Sequence, residues 1–212
     1  MENSLPERPK WLEVALQGLA YWMGHRQSLF GTYPLTEGAM VAEACNLIFA
    51  NLSPGLALLP ERLYKNLTNP FVNPFPGQLV RADLVICNDT VNQDDINANI
   101  SGHVKYVIEV KRGSASNQLI NADLKRLYDL KNVVNDDIRC LLFIISEGRA
   151  PTRFVKDGKS ILGWNQIPMC SGYYRVRRTV KAAPSFSSRE KAHYVCMLEV
   201  FLNRKTVKKN KK

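Results

Sequence analysis

Residues 78–87 read QLVRADLVIC and residues 103–112 read HVKYVIEVKR, two Val- and Ile-rich runs joined by a polar stretch that carries Asp89, Asp94 and Asp95. β-Branched and aromatic residues at this density mark strands, and the spacer between them marks a long hairpin loop. Side chains alternate along a strand, so Glu109 and Lys111 share one face while Val110 turns to the other. Arg81, Asp83 and Val85 share a face of the preceding strand by the same period. Pairing of the two strands would bring Asp83, Glu109 and Lys111 to a single spot. Charges one step apart in an otherwise apolar strand are costly unless something compensates them, and a divalent cation would do so. Carboxylates, a backbone carbonyl and water are oxygen ligands that suit Mg²⁺ or Mn²⁺.

Beyond the hairpin, residues 117–133 (NQLINADLKRLYDLKNV) place Leu119, Leu124, Leu127 and Leu130 near one helical stripe, with Asn117 as N-cap. Residues 137–146 (DIRCLLFIIS) form a continuous apolar run, the pattern of a central strand covered on both faces. Residues 172–180 and 192–202 read as two further strands, although Ser188, Arg189, Glu190 and Lys191 could instead open a helix. Before the hairpin, residues 11–30 repeat apolar side chains at three and four spacing, and residues 36–52 open on Thr36 as an N-cap; both read as helices. The prolines and glycines of residues 54–77 leave room only for short strands, one around residues 61–65. The expected fold is therefore α/β, a mixed sheet with helices on both faces. It forms one domain over residues 1–202, with an N-terminal helical extension over about 1–35 and a basic C-terminal tail over 203–212.

The chain has 212 residues, long enough to bury a core without disulfide or zinc staples. Its five cysteines are at least 26 positions apart, which excludes CxxC patterns, and their odd number argues against a secreted disulfide framework. They read as small buried residues. His25, His103 and His193 are scattered, with no zinc spacing, and no GxxxxGK[ST] loop is present. No apolar run is long enough to span a membrane, and residues 1–10 lack the order of a secretory signal, so a cytoplasmic location without a membrane partner is expected.

The net charge of +10 is uneven. Residues 1–170 hold 17 basic and 17 acidic residues, whereas the excess falls in residues 171–191 and 203–212. A basic C-terminal third on a neutral body suits a polyanion, nucleic acid first, because each cation that neutralises a phosphate releases counterions. Arg175, Arg177, Arg178 and Lys181, beside Tyr173 and Tyr174, are the expected contacts to a nucleic-acid backbone.

Asp83, then 25 intervening residues, then Glu109-Val110-Lys111, flanked by apolar strand residues and followed by a helix, resembles the PD-(D/E)xK nuclease superfamily. The resemblance covers residues 36–146. It implies the restriction-endonuclease-like fold, a central mixed four-stranded sheet flanked by helices, with the active site on the hairpin of its second and third strands. Asp83 matches the first Asp of the motif, Glu109 its (D/E) and Lys111 its Lys, while Ala82 stands where Pro is usual. The implied metal ligands are Asp83, Glu109 and the carbonyl of Val110 around Mg²⁺, with Mn²⁺ able to substitute. A Glu from the first core helix completes many such sites; Glu43 is the first choice here and Glu37 the reserve. Gln118 matches a supporting position near the nucleic acid. Lys111 would orient or help deprotonate water.

The implied activity is hydrolysis of phosphodiester bonds, DNA being the expected substrate and restriction or host defence the expected setting. Cutting both strands of a duplex is most simply done by twofold-related sites, which points to a homodimer. The rival readings are a non-catalytic nucleic-acid-binding protein on the same scaffold and an interaction subunit docking on a larger complex through the N-terminal helix.

Overall fold

The computed structural model describes residues 7–30, 34–72, 74–75, 79–91, 95, 97–134, 137–183 and 191–204. These residues form three α-helices, α1 (Lys10–Phe30), α2 (Glu37–Asn51) and α3 (Asn117–Val134), and nine strands. The strands are β1 (Leu56–Leu63), β2 (Arg81–Asn88), β3 (Val104–Arg112), β4 (Arg139–Ser146), β5 (Val155–Lys156), β6 (Lys159–Ser160), β7 (Asn165–Gln166), β8 (Tyr173–Ala182) and β9 (His193–Phe201). Seven of them make one sheet in the order β1-β2-β3-β4-β9-β8-β7, while β5 and β6 pair separately. Only β3 and β4 run parallel, so the sheet is mixed. The four strands expected around the hairpin are present, and the sheet extends beyond them on the β4 side.

Alternation sorts the core into two layers. On one face Leu84, Ile86, Ile108, Val110, Leu141 and Phe143 pack against Leu12, Leu16 and Leu19 of α1 and Met40, Ala44 and Ile48 of α2. On the other, Val85, Val107, Leu142 and Ile144 meet Ile120, Leu124, Leu127 and Leu130 of α3. Strand β4 lies in the middle of the sheet, and its side chains from Cys140 to Ser146 are buried on both faces, which is why its sequence shows no alternation. Each such Leu, Ile or Phe removed from water contributes roughly 1.5–3 kcal/mol before chain entropy is counted.

Helix α2 begins as its sequence implies, with Thr36 in an extended conformation and its Oγ1 accepting from Ala39 N–H at 3.1 Å. It ends where Leu52 turns extended ahead of Pro54. Helix α1 packs its apolar stripe on the sheet beside α2, which leaves Tyr21, Leu29 and Phe30 outward, so the expected N-terminal extension is part of one helical layer.

Three local expectations are corrected. The strand anticipated around residues 61–65 is β1, which starts at Leu56 and runs through Pro60. Pro60 is tolerated because β1 is an edge strand, where a missing N–H need not face a neighbour. Asn117 is the first helical residue of α3 and its cap is Ser116, whose Oγ accepts from Leu119 N–H. Leu119 itself is more than half exposed; the α3 stripe instead runs through Ile120, Asp123, Leu124, Leu127 and Leu130. The alternative helix at residues 188–191 lies mostly outside the described residues, as do residues 205–212 of the basic tail. Cys87, Cys140 and Cys196 are buried, as read, while Cys45 and Cys170 are half-buried; all five are free thiols.

One close approach fixes how α3 meets β8. A Cβ at Gly172 would lie 2.2 Å from Cδ2 of Tyr128, whose hydroxyl is 2.7 Å from Ser171 Oγ. Gly172→Ala is expected to destabilise the protein by roughly 1–3 kcal/mol through overpacking, read as a lower denaturant midpoint at unchanged m-value.

Candidate active site

The backbone register of β2 and β3 runs from Cys87↔Val104 to Leu84↔Ile108, and one step further puts Asp83 across from Glu109. There the Asp83 side chain enters the pairing, its Oδ2 accepting from Val110 N–H at 2.7 Å. The N–H and C=O of one strand residue project to the same side, so the Val110 carbonyl is also aimed toward β2. Asp83 and Glu109 are close enough for each carboxyl to perturb the other. Burial, and then the charge of Asp83, push the Glu109 carboxyl up to about 8. Asp83 is itself raised by burial, against the opposing effects of Val110 N–H and Glu109. The pair titrates as a unit and holds one proton that is best placed on Glu109.

Lys111 lies on the same face two residues on. Its Nζ donates to Glu37 Oε1 at 2.8 Å and sits 3.2 Å from Asp123 Oδ2. Burial alone would lower this ammonium, yet the hydrogen bond to Glu37 and the charge of Asp123 hold it above the ordinary lysine value. Asp123 is buried on α3; its Oδ1 accepts from Arg126 at 2.8 Å, while Oδ2 is shielded from water and has no aligned hydrogen bond. Arg126 also reaches 3.6 Å from Glu109 Oε1, and the fully buried Tyr64 donates its hydroxyl to that same oxygen. On the outer side β1 contributes Glu61, opposite Asp83 by register and in the left-handed region at φ 56°. A non-glycine residue held there stores backbone strain of the kind that clusters at functional sites. An open cleft of about 360 Å³ is lined by Glu37, Glu61 and Asp83 together with Val41, Cys45 and Pro60.

Of the residues expected from sequence, Asp83, Glu109, Val110 and Lys111 therefore meet. The helix carboxylate at the site is Glu37, the reserve choice. Glu43 makes no hydrogen bond or ion pair among the described residues, because it lies almost two turns further along α2. Gln118 is exposed on the first turn of α3 and touches none of these groups. Tyr64, Asp123 and Arg126 had not been expected; an acid on the apolar stripe of α3, three residues from Ile120 and four from Leu127, was the signal for Asp123.

The basic strand divides. A bulge between Val176 and Arg178 leaves Arg177 unpaired in the β8 ladder. Its guanidinium turns inward and is neutralised by Glu199, which also takes two hydrogen bonds from Arg139 at 2.8 and 2.9 Å. Burial, opposed by Glu199, lowers the Arg177 pKa. Arg177 is thus a structural cation and not a backbone contact. Arg178 pairs with Glu13 at 3.3 Å, and Arg175 covers the Trp164 ring. Lys181 is exposed over Tyr194, at the sheet end that carries Lys111.

No three His, Cys, Asp or Glu side chains among the described residues converge as a ready-made metal cage. What the fold and site define is an α/β protein with an acidic cleft between α2 and the β1–β2 side of its sheet, whose Glu37 accepts from the Lys111 ammonium. No family model, curated protein or solved structure matches the chain. No helix among the described residues is long and apolar enough to cross a membrane.

Proposed function

We propose that the protein is a metal-dependent nuclease of the PD-(D/E)xK type with a restriction-endonuclease-like fold, acting on DNA. The observation that carries this reading is the convergence of Asp83, Glu109 and the Lys111 ammonium at the open end of the β2–β3 hairpin.

The donor set fits a divalent cation. Two facing carboxylates share one proton because burial and mutual repulsion disfavour a double negative charge. Glu37, Glu61 and Asp83 line the cleft, and behind them Glu109 and Asp123 are matched by only two cations, Lys111 and Arg126, so the site as a whole is acidic. Asp83, Glu109 and the Val110 carbonyl would hold Mg²⁺ or Mn²⁺, oxygen donors of the right hardness. The ion supplies electrostatic stabilisation to a phosphoryl oxygen that gains charge as the diester is cleaved. Lys111 Nζ, which donates to Glu37 and stands 3.2 Å from Asp123, would offer a further N–H to a water or to a phosphoryl oxygen and stabilise negative charge there. Tyr64 and Arg126 hold the Glu109 carboxylate in place.

The test is cleavage of supercoiled and linear DNA, and of RNA, by purified protein with Mg²⁺, Mn²⁺ or chelator. Metal-dependent cleavage that vanishes in Asp83→Ala supports the reading; equal cleavage by both proteins removes it. The helix carboxylate is tested alongside: Glu37→Ala is expected to lower the rate by about 10–100-fold, as loss of a group that orients a site residue does, and Glu43→Ala to leave it unchanged. The reverse order of effects would restore Glu43. Restriction or defence as the setting, and a homodimer that cuts both strands, follow from this reading by analogy; product analysis and sedimentation would check them.

A further inference from the structure

A second cavity of about 220 Å³ is lined by Pro34, Arg112, Ser114, Ser146, Glu147 and Arg149. It is lined by residues at and just beyond the carboxyl ends of β3 and β4, the one parallel strand pair among the described residues, where Arg112 is in register with Ile145. Ligands of open α/β sheets bind outside the carboxyl ends of strands.

Its two arginines stand apart from the rest. Neither the Arg112 nor the Arg149 guanidinium makes a hydrogen bond or ion pair among the described residues. Every other described arginine is matched to a carboxylate, a carbonyl or an aromatic ring. Two guanidiniums without an ion-pair partner share a cavity that holds one acid, and an anion between them would accept charge-assisted hydrogen bonds from both.

The close approach of the β3–α3 turn to the end of β4 brings the segments that carry the two arginines to one cavity. Gly113 N–H donates to Ile145 O at 2.6 Å, and a Cβ on Gly113 would stand 2.6 Å from Ser146 Cβ and 2.7 Å from its Oγ, so only glycine passes there. The Ser114 and Ser146 side chains add hydroxyl donors. Glu147 is the one acid of the cavity, and its Oε2 accepts from Leu35 N–H ahead of α2. Glu37 connects the cavity to the cleft, since its Oε1 takes Lys111 Nζ and its Oε2 takes Arg112 N–H.

We infer that this cavity is a phosphate subsite, in which the guanidiniums of Arg112 and Arg149 hold a phosphate of the polynucleotide adjacent to the one cleaved. The inference rests on the nuclease reading. The planar forks match phosphate oxygens in pairs, and the Glu147 carboxylate in the lining disfavours small free anions relative to a phosphate presented by a polymer already held at the cleft.

The experiment measures binding without turnover, by fluorescence anisotropy of a labelled DNA duplex in chelator across a KCl series. Arg149→Ala and Arg112→Ala are each expected to weaken binding roughly tenfold, the loss of a charge-assisted hydrogen-bonded contact. Each should also reduce the slope of log K against log salt by about 1. Lys105→Ala, which removes an equal charge from the opposite end of β3, should leave both unchanged. Arg149→Lys, which keeps charge but not the fork, should recover part of the loss. Duplexes ending in a 5′-phosphate, duplexes ending in a 5′-hydroxyl, and a closed circle separate the sources. Loss confined to 5′-phosphorylated ends assigns a terminal phosphate, and loss on the circle an internal one. Unchanged affinity and slope in both arginine variants, or an equal loss in Lys105→Ala, would overturn the subsite while wild-type cleavage leaves the nuclease reading standing. A wild type that neither binds nor cleaves DNA removes both.

Discussion

Asp83→Asn is expected to lower metal-dependent cleavage by about 10²–10⁴-fold while leaving the fold intact, because it removes charge at the site and little else. An asparagine carbonyl can still accept from Val110 N–H, the bond that anchors Asp83, so the end of the hairpin is preserved. Lys111→Ala is expected to reduce cleavage over the same range by a different route. The ammonium is a donor and a positive charge, not a ligand, so its loss should leave Mn²⁺ affinity no weaker than in the wild type. Asp83→Asn should weaken that affinity in step with activity. Measuring Mn²⁺ binding by paramagnetic relaxation beside cleavage rates separates the roles. Lys111→Ala that abolishes Mn²⁺ binding, or Asp83→Asn that binds it normally, would show the assignments to be misplaced. Removal of Lys111 leaves the buried Asp123 with Arg126 as its remaining cation, so thermal melts must accompany the kinetics, with Lys111→Arg as the variant that keeps the charge.

The hairpin was legible in the sequence because two independent periods coincide there. Alternation along β3 puts Glu109 and Lys111 on one face, and the same alternation on β2 selects Asp83, so pairing the strands leaves few other arrangements. The Glu37–Glu43 choice was not legible, because both residues are acids in one helix and only the packing of α2 on the sheet decides which reaches Lys111. Tyr64 belongs to a short 3₁₀ turn after the edge strand β1, a place no periodicity marks. Arg177 misled because charge was read without register: a bulge in β8 rotates it inward onto Glu199, and nothing in YRVRRTV announces a bulge. Arg112 and Arg149 are more than thirty positions apart in the chain, and only the parallel pairing of β3 with β4 makes them neighbours.

Burial also attaches a stability cost to the site, and its sign can be worked out. Glu109 titrates near 8 in the folded protein, well above an unfolded glutamate near 4.3. Between those values the native state binds a proton that the unfolded chain has released, so stability falls as pH rises through the window and levels off above it. The span corresponds to roughly a few kcal/mol for the metal-free protein. Glu109→Gln removes this titration. Its amide oxygen can accept from Tyr64 and its NH₂ can donate to Asp83, which reproduces the protonated carboxyl without a charge to bury. The metal-free variant is therefore expected to melt higher than the wild type at pH 8–9 and about equally at pH 4.5–5, and to be inactive at every pH because a ligand oxygen anion is gone. Mn²⁺ should raise the melting temperature of the wild type more at pH 8 than at pH 6, releasing close to one proton at the lower pH, and should not shift the variant. A wild type whose metal-free melting temperature rises between pH 5 and 8, with Glu109→Gln following it in parallel, would show that Glu109 is ionised in the folded protein and that the two carboxylates do not share a proton.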